Sequence, residues 1–128
     1  MAQLAERQVT PLLLAIAILA APASLLRCHD GDTCTFRIHL GLDVYIEQRV
    51  RLCDIDAPEM PAGGESLAAV VAILAKAKSI DIRPSGGLYK ARYSFRRLLA
   101  WVLVDGVDLG TLLIQRNLAA PSNRRCLP

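Results

Sequence analysis

The sequence predicts an α+β domain that is mainly β, built as a five-stranded barrel with two or so flanking helices. Three observations predict it. Short apolar or alternating segments are separated by turns rich in Gly, Asp and Pro, and one longer segment has helical periodicity. The segments follow the order strand, strand, strand, helix, strand, strand, helix, which suits a Greek-key barrel of the OB type. The length of 128 residues is that of one domain.

The front of the chain is apolar, with no charged residue from Val9 to Leu26. The Ala-Pro-Ala tripeptide at 21–23 has the pattern of a signal-peptide cleavage site. We therefore expect residues 1–23 to be a signal peptide and residues 24–128 to be the folded domain, secreted or periplasmic. An uncleaved membrane anchor is the second interpretation, because the run approaches the ~18 apolar residues of a spanning helix. A buried helix is the third.

The next segments predict a three-stranded antiparallel meander. Polar and apolar residues alternate from Thr33 to Leu40, which predicts a strand, and Gly41-Leu42-Asp43 predicts a turn. The segment VYIEQRVRLCDI is interpreted as one long strand or two short ones. Sequential strands with short connections favour a meander.

The remaining segments supply two helices and two strands. ESLAAVVAILAKAKS has apolar residues at helical spacing, and VDLGTLLIQRNLA predicts a second, shorter helix. SIDIRP predicts a short strand, and LLAWVLVDG predicts a strand ended by an Asp-Gly turn. We expect Trp101, in that last strand, to belong to the core.

Charge and cysteine content leave several interpretations open. The formal charge of +3 permits an anionic partner without requiring one. In an exported chain an even number of cysteines suggests disulfides, but four allow three pairings. Buried thiols within strands are the alternative. The cysteines are Cys28, Cys34, Cys53 and Cys126.

Two acidic stretches contain the candidate chemistry, HDGDT and VRLCDIDAPEM. In an extended strand Asp54 and Asp56 share a face, and Arg51 points the other way unless the chain bends. Carboxylates gathered on one side of a barrel repel each other, and a hard divalent cation such as Ca²⁺ relieves this through oxygen ligands. Arginines bind phosphate oxygens two at a time. Carboxylates, a metal and arginines together favour phosphodiester hydrolysis.

These stretches resemble the staphylococcal nuclease (thermonuclease-like) family. DGDT, VRLCDIDAPE and RRLLAWVLVDG occur in the order of the family's D-G-D-T, R-L-x-x-I-D-A/T-P-E and D-R-Y-G-R-x-L-A blocks, the last leading into a strand that ends in D-G. The resemblance covers Leu26 to Ala119. It implies an OB-fold barrel, Ca²⁺ dependence, and cleavage of single-stranded DNA and RNA, with duplex DNA cut less readily. The implied products end in 3′-phosphate, and we expect a monomer without a protein partner.

The resemblance also implies a role for each matching residue. The positions are, for calcium, Asp32, Asp56 and the backbone carbonyl of Ala57; for phosphate, Arg51 and Arg97; and, for orienting or deprotonating the attacking water, Glu59. Asp54 matches no family position and is interpreted as solvated or salt-bridged.

The third block departs from the family pattern, because ARYSFRR lacks its aspartate and its glycine. Counting back from the strand assigns the phosphate role to Arg97, whereas counting forward from Arg92 leaves Arg96 open. Tyr93 and Phe95 either stack on bases or anchor the loop and the core.

Two other functions stay open beside the nuclease. One is an OB-fold module that binds nucleic acid without cutting it, for which the altered ARYSFRR block is the support. The other is an anchored surface protein with a structural Ca²⁺ site, for which the apolar front is the support. The chain keeps every matching carboxylate and arginine, which favours the enzyme.

Overall fold

The computed structural model describes residues 20–123 and 125–128. In chain order the elements are β1 (Ala21–Asp30), β2 (Thr33–Gly41), β3 (Val44–Leu52), β4 (Ile55–Asp56), α1 (Gly64–Lys76), β5 (Ile80–Pro84), β6 (Tyr93–Ser94), β7 (Arg97–Val104), β8 (Val107–Asp108), α2 (Leu109–Gln115) and β9 (Ala120–Pro121).

Five of these strands close into a barrel. Its neighbours run β1, β2, β3, β7, β5 and back to β1. The β3–β7 pair is parallel and the other pairs are antiparallel. A closed mixed barrel with two helices is an OB-fold-like α+β architecture, so the predicted fold class is confirmed. Four short strands lie outside the barrel: β6 and β8 pair with β7, and β4 pairs with β9.

The turns at the two ends of β3 both contain residues with left-handed backbone angles. Leu42 and Asp43 join β2 to β3 with φ of 52° and 60°, the left-handed values of a two-residue hairpin turn. The segment VYIEQRVRLCDI forms two strands, because the chain turns at Cys53 and Asp54 between β3 and β4. Asp54 has φ of 68°. This turn determines where the acidic residues point.

The core fills the barrel with the inward-facing residues of alternating strands. In β7 every second residue is buried, and Phe36, Val50, Ile82 and Val102 have no solvent exposure. Val70 and Leu74 of α1 join the same cluster. Trp101 lies on the outer face of β7 and is half-buried there, so its predicted place in the core is wrong.

The described part of the chain begins with strand rather than helix. β1 starts at Ala21, whose side chain belongs to the core cluster, so the boundary expected between residues 23 and 24 falls inside β1. Most of the predicted signal peptide or anchor, residues 1–19, lies outside the described residues. Among the residues that are described, no helix is long and apolar enough to cross a membrane.

All four cysteines are paired. Cys28 bonds Cys34 across β1 and β2, at directly opposed positions of the two strands. Cys53, in the turn after β3, bonds Cys126 in the C-terminal tail. The tail is further attached where β9 pairs with β4. The second disulfide therefore joins the end of the chain to the turn that contains the second acidic stretch.

Removal of the two disulfides should have unequal effects on stability. Cys53 and Cys126 are 73 residues apart in sequence, whereas Cys28 and Cys34 are 6 apart. A disulfide stabilises the folded protein by reducing the entropy of the unfolded chain. The loop-entropy relation gives about 4 kcal/mol for the bond that closes the long loop and about 2 kcal/mol for the bond that closes the short one. We expect the Cys53→Ser/Cys126→Ser variant to have the lower free energy of unfolding in urea titrations. A larger loss for Cys28→Ser/Cys34→Ser would contradict this order.

Candidate functional site

Arg51 at the end of β3 is the centre of the candidate site. Its Nη1 donates hydrogen bonds to the backbone carbonyls of Leu52 (2.6 Å) and Ile55 (2.8 Å), which fixes the turn between β3 and β4. Its Nη2 bonds Asp56 Oδ1 and lies 3.5 Å from Asp32 Oδ2. The chain bends after β3, and the bend brings Arg51 to the same side as Asp56. Without a bend, the sequence pattern predicted that the two side chains would point in opposite directions.

Asp32 reaches this site because the β1–β2 turn packs against the segment after β4. A Cβ added to Gly31 would lie 2.8 Å from the Cβ atoms of Ala57 and Ser66, so only glycine allows this approach. The backbone N–H of Ala57 donates to Asp32 Oδ2 at 2.9 Å. Thr33 Oγ1 donates to Asp32 Oδ1 at 3.1 Å. The glycine of DGDT is thus required by packing.

The environment of Asp32 disfavours its charged form. The residue is 8% exposed, and the pKa of its carboxyl is raised to about 6, mainly because burial disfavours the charged form. A hydrogen bond with Asp30 contributes to the rise, whereas the Ala57 N–H and the Arg51 charge oppose it. The Asp32 carboxylate is therefore a buried charge that a nearby cation would stabilise.

The residues fit a hard divalent cation in their chemistry. Oxygens of Asp32 and Asp56 approach the same Arg51 nitrogen, so a positive group already lies between the two carboxylates. Ala57 adjoins both through its chain position and its hydrogen bond. Within residues 20–123 and 125–128, no three His, Cys, Asp or Glu side chains converge as ligands of one ion. A Ca²⁺ ion held here would need water in its remaining positions.

A pocket of about 460 Å³ opens beside Arg51. We call it the arginine pocket, since its walls include, among the described residues, four arginines against two aspartates: Arg51, Arg92, Arg97 and Arg125, with Asp54 and Asp56. The structure therefore brings Arg51, Asp56 and Arg97 to one cavity. Asp32, Ala57 and Glu59 do not line it.

The ARYSFRR block forms a tight hairpin at the rim of this pocket. Phe95 and Arg96 make the two-residue turn between β6 and β7, with φ of 50° and 64°. Arg97 begins β7, lines the pocket, and donates from Nε to the carbonyl of Ser94 at 3.2 Å. Arg96 is exposed in the turn and does not line the pocket. Phe95 is 85% exposed, so it is not a core anchor.

Glu59 stands apart from the other predicted residues. It is exposed in the loop between β4 and α1, and its carboxylate has no hydrogen bond or ion pair with any residue of the described ranges. Gly63 closes this loop by donating its N–H to the Glu59 carbonyl at 2.9 Å. A Cβ at Gly63 would lie 1.9 Å from the Pro58 carbonyl oxygen, so glycine is needed there.

Asp54 is salt-bridged, one of the two states expected for it, and it also accepts hydrogen bonds that the sequence did not indicate. Its Oδ1 accepts the backbone N–H of Cys126 at 2.7 Å, and its Oδ2 accepts Trp101 Nε1 at 3.0 Å. Arg125 Nε lies 3.7 Å from the same Oδ1. Asp54 therefore faces the C-terminal tail and not the Asp32–Asp56 cluster. The basic run before Cys126 was the available signal for a tail contact.

No protein-family model and no curated protein matches this chain. The likeness to the nuclease family stays at the level of three short motifs in the same order.

The pKa of Asp32 should make stability depend on pH. The native carboxyl has a pKa of about 6 against an ordinary value of 3.8, so the native state binds the proton more tightly. Its stabilising effect is full below about pH 4 and is lost as the pH rises through 6. In a chelator, we expect the chain to lose roughly 2–3 kcal/mol of unfolding free energy from pH 4 to 7, relative to Asp32→Asn.

Urea titrations of both chains at several pH values measure this difference. The substitution removes the Asp32 titration, and carboxyl groups distant from Asp32 cancel in the comparison. Parallel stability curves for the two chains across pH 4–7 would contradict the raised pKa.

Proposed function

We propose that this chain is a Ca²⁺-dependent phosphodiesterase that hydrolyses single-stranded DNA and RNA, and duplex DNA less readily. One observation carries the proposal: Arg51 joins the Asp32 and Asp56 carboxylates at the edge of a pocket that Arg97 also lines. Oxygen ligands for a hard cation and guanidinium groups for phosphate are thereby side by side. The motif resemblance to staphylococcal nuclease supports the same assignment, including products with 3′-phosphate ends.

Asp32 and Asp56, with the carbonyl of Ala57, are the proposed calcium ligands. When bound, Ca²⁺ supplies Lewis-acid polarisation of a phosphoryl oxygen. Asp32 is buried and Asp56 is exposed, so these residues would hold the ion at the barrel surface, where water can fill its remaining positions.

Arg51 and Arg97 are the proposed phosphate-binding residues. Both line the arginine pocket, and a planar guanidinium donates two parallel hydrogen bonds to phosphate oxygens. Donors aimed at the charge that develops during attack stabilise the transition state. Phe95, exposed at the pocket rim, offers a face on which a base can stack.

Glu59 is the proposed residue that orients or deprotonates the attacking water. Its carboxylate is exposed and unpaired among the described residues, so it is free to accept a proton. It follows Asp56 by three residues, so only a short loop separates it from the proposed calcium ligand. Catalytic hydrogen bonds often tighten only when substrate binds.

The second candidate is an OB-fold module that binds nucleic acid without cleaving it. The specific observation in its favour is that Glu59 does not line the arginine pocket. The charge of that pocket, with four arginines against two aspartates among its described walls, suits binding alone as well as catalysis. Turnover separates the two functions.

The same proposal includes export from the cytoplasm. The exported protein is secreted or periplasmic, or alternatively is anchored to the membrane by its N-terminal segment. Two disulfides in a small domain are typical of oxidising compartments. They support an extracytoplasmic protein and are compatible with both fates of the N-terminal segment.

Calcium and Glu59 should both be needed for turnover. The full chain incubated with single-stranded DNA should degrade it in Ca²⁺ and leave it intact in a chelator. Glu59→Gln should lower the rate by roughly 10²–10⁴-fold, because general base assistance is lost while the fold is kept. Gel analysis of the products measures both effects. DNA that is retarded but intact in Ca²⁺ would instead establish the binding module.

Arg97 and its neighbour Arg96 form a matched pair of charge deletions. Arg97→Ala should lower kcat/KM by about 10²–10³-fold, because one donor to the developing charge is removed. Arg96→Ala removes the same charge from the exposed turn and should change kcat/KM by less than about 3-fold. Steady-state cleavage of a labelled oligonucleotide measures both. A large loss in Arg96→Ala with near-normal turnover in Arg97→Ala would reverse the assignment.

A further inference from the structure

The C-terminal tail forms one wall of the arginine pocket. Five of its residues line the cavity: Ser122, Asn123, Arg125, Cys126 and Leu127. None of them belongs to the three motifs that resemble the nuclease family. We call this segment, residues 122–127 without the undescribed residue 124, the tail wall.

Several contacts fasten the tail wall to the barrel. Cys126 is bonded to Cys53, and its N–H donates to Asp54 Oδ1 at 2.7 Å. The Ser122 N–H donates to the Asp54 carbonyl at 2.8 Å. At the far end, Ser85 Oγ donates to the Leu127 carbonyl at 2.7 Å. The segment is thus fixed on both sides of Arg125, and its position over the pocket is built into the fold.

Arg125 is the cation that the tail wall adds to the pocket. Its side chain is 77% exposed, and its Nε lies 3.7 Å from Asp54 Oδ1. An exposed ion pair of this length contributes little stability. Within the described ranges no other partner contacts its guanidinium, so its remaining N–H donors are available to a ligand. A guanidinium at the wall of a pocket that already contains Arg51 and Arg97 is suited to phosphate.

We propose that Arg125 binds a backbone phosphate of the single-stranded substrate, beside the one bound by Arg51 and Arg97. The disulfide and Asp54 hold it in place. This inference rests on the proposed function, and it adds a substrate-binding residue and a role for Asp54 that the motifs do not contain. Arginines on both the barrel side and the tail side of the pocket are suited to successive phosphates of one strand.

The salt dependence of binding tests this assignment. The full chain with Glu59→Gln is titrated in Ca²⁺ with a labelled oligothymidylate of about eight nucleotides, within the site size of an OB fold. Fluorescence anisotropy gives Kd between about 50 and 200 mM salt, and a gel confirms that the oligonucleotide is intact. Each phosphate contact on a single strand contributes about 0.7 to the slope of log K against log salt.

Arg125→Ala should lower that slope by about 0.7 and raise Kd roughly 3- to 10-fold at the lower salt concentration. Arg116→Ala is the matched control, because it removes the same charge from an exposed position that does not line the pocket. It should leave the slope unchanged. Equal slopes for the two variants would overturn the role of Arg125 and leave the proposed function standing.

The role of the Cys53–Cys126 disulfide in positioning Arg125 is tested by a second pair of variants. In the Cys53→Ser/Cys126→Ser background, adding Arg125→Ala should change Kd by less than 2-fold, because the untethered arginine no longer faces the pocket. An undiminished effect of Arg125→Ala there would overturn the positioning role of the disulfide. If that background does not fold, Asp54→Asn is used to test the other attachment of Arg125, because it removes the negative charge beside that guanidinium. Adding Arg125→Ala to Asp54→Asn should then change Kd by less than 2-fold, and an undiminished effect would overturn the positioning role of Asp54.

The behaviour of the parent chain separates a failure of the proposed function from a failure of the role of Arg125. A parent chain that neither cleaves nor binds DNA overturns the proposed function, and the role of Arg125 falls with it. A parent chain that binds DNA with a slope indifferent to Arg125 overturns this inference alone.

Discussion

The Arg51 guanidinium is the interaction on which the site depends. The Asp32 carboxylate of the β1–β2 turn and the Asp56 carboxylate of β4 would repel each other, and Asp32 is buried. Arg51 compensates both charges and also bonds two carbonyls that flank the turn between β3 and β4. Turn geometry and charge balance are therefore one structural unit. A change at Arg51 would affect the placement of Asp56 as well as any contact with substrate, because the same side chain supports both.

The turn after β3 distributes its acidic residues to two sides. The left-handed backbone at Asp54 directs that carboxylate to the tail, whereas Asp56 returns to Arg51. Trp101 adds a third contact to Asp54 from the outer face of β7. Two residues of one short turn thus have different roles: Asp56 belongs to the candidate site, and Asp54 attaches the C-terminal tail. The pocket is shaped jointly by the barrel and by a segment that folds against it.

Much of the fold could be predicted because local patterns and global packing agree. Alternation in β2 and β7 and helical spacing in α1 gave the right elements, and their order gave the barrel. The direction of Asp54 could not be predicted, since a period-two pattern assumes an unbroken strand. Trp101 was misplaced for a related reason: alternation identifies two faces without saying which one is inside. The cysteine pairing and the tail wall depend on contacts between residues far apart in sequence, which no local pattern reports.

The hairpin at the pocket rim has a consequence for how the chain tolerates change. Phe95 and Arg96 hold left-handed backbone angles that glycine or asparagine adopts more easily, at a difference of about 1–2 kcal/mol per residue. Arg96→Gly would therefore relieve backbone strain in the turn and raise the stability of the domain without a change in the barrel. Residue 96 can change the stability of the turn, whereas Phe95 beside it lines the pocket, so stability and ligand contact can be altered independently. A thermostable form of this domain need not sacrifice the aromatic ring beside the pocket.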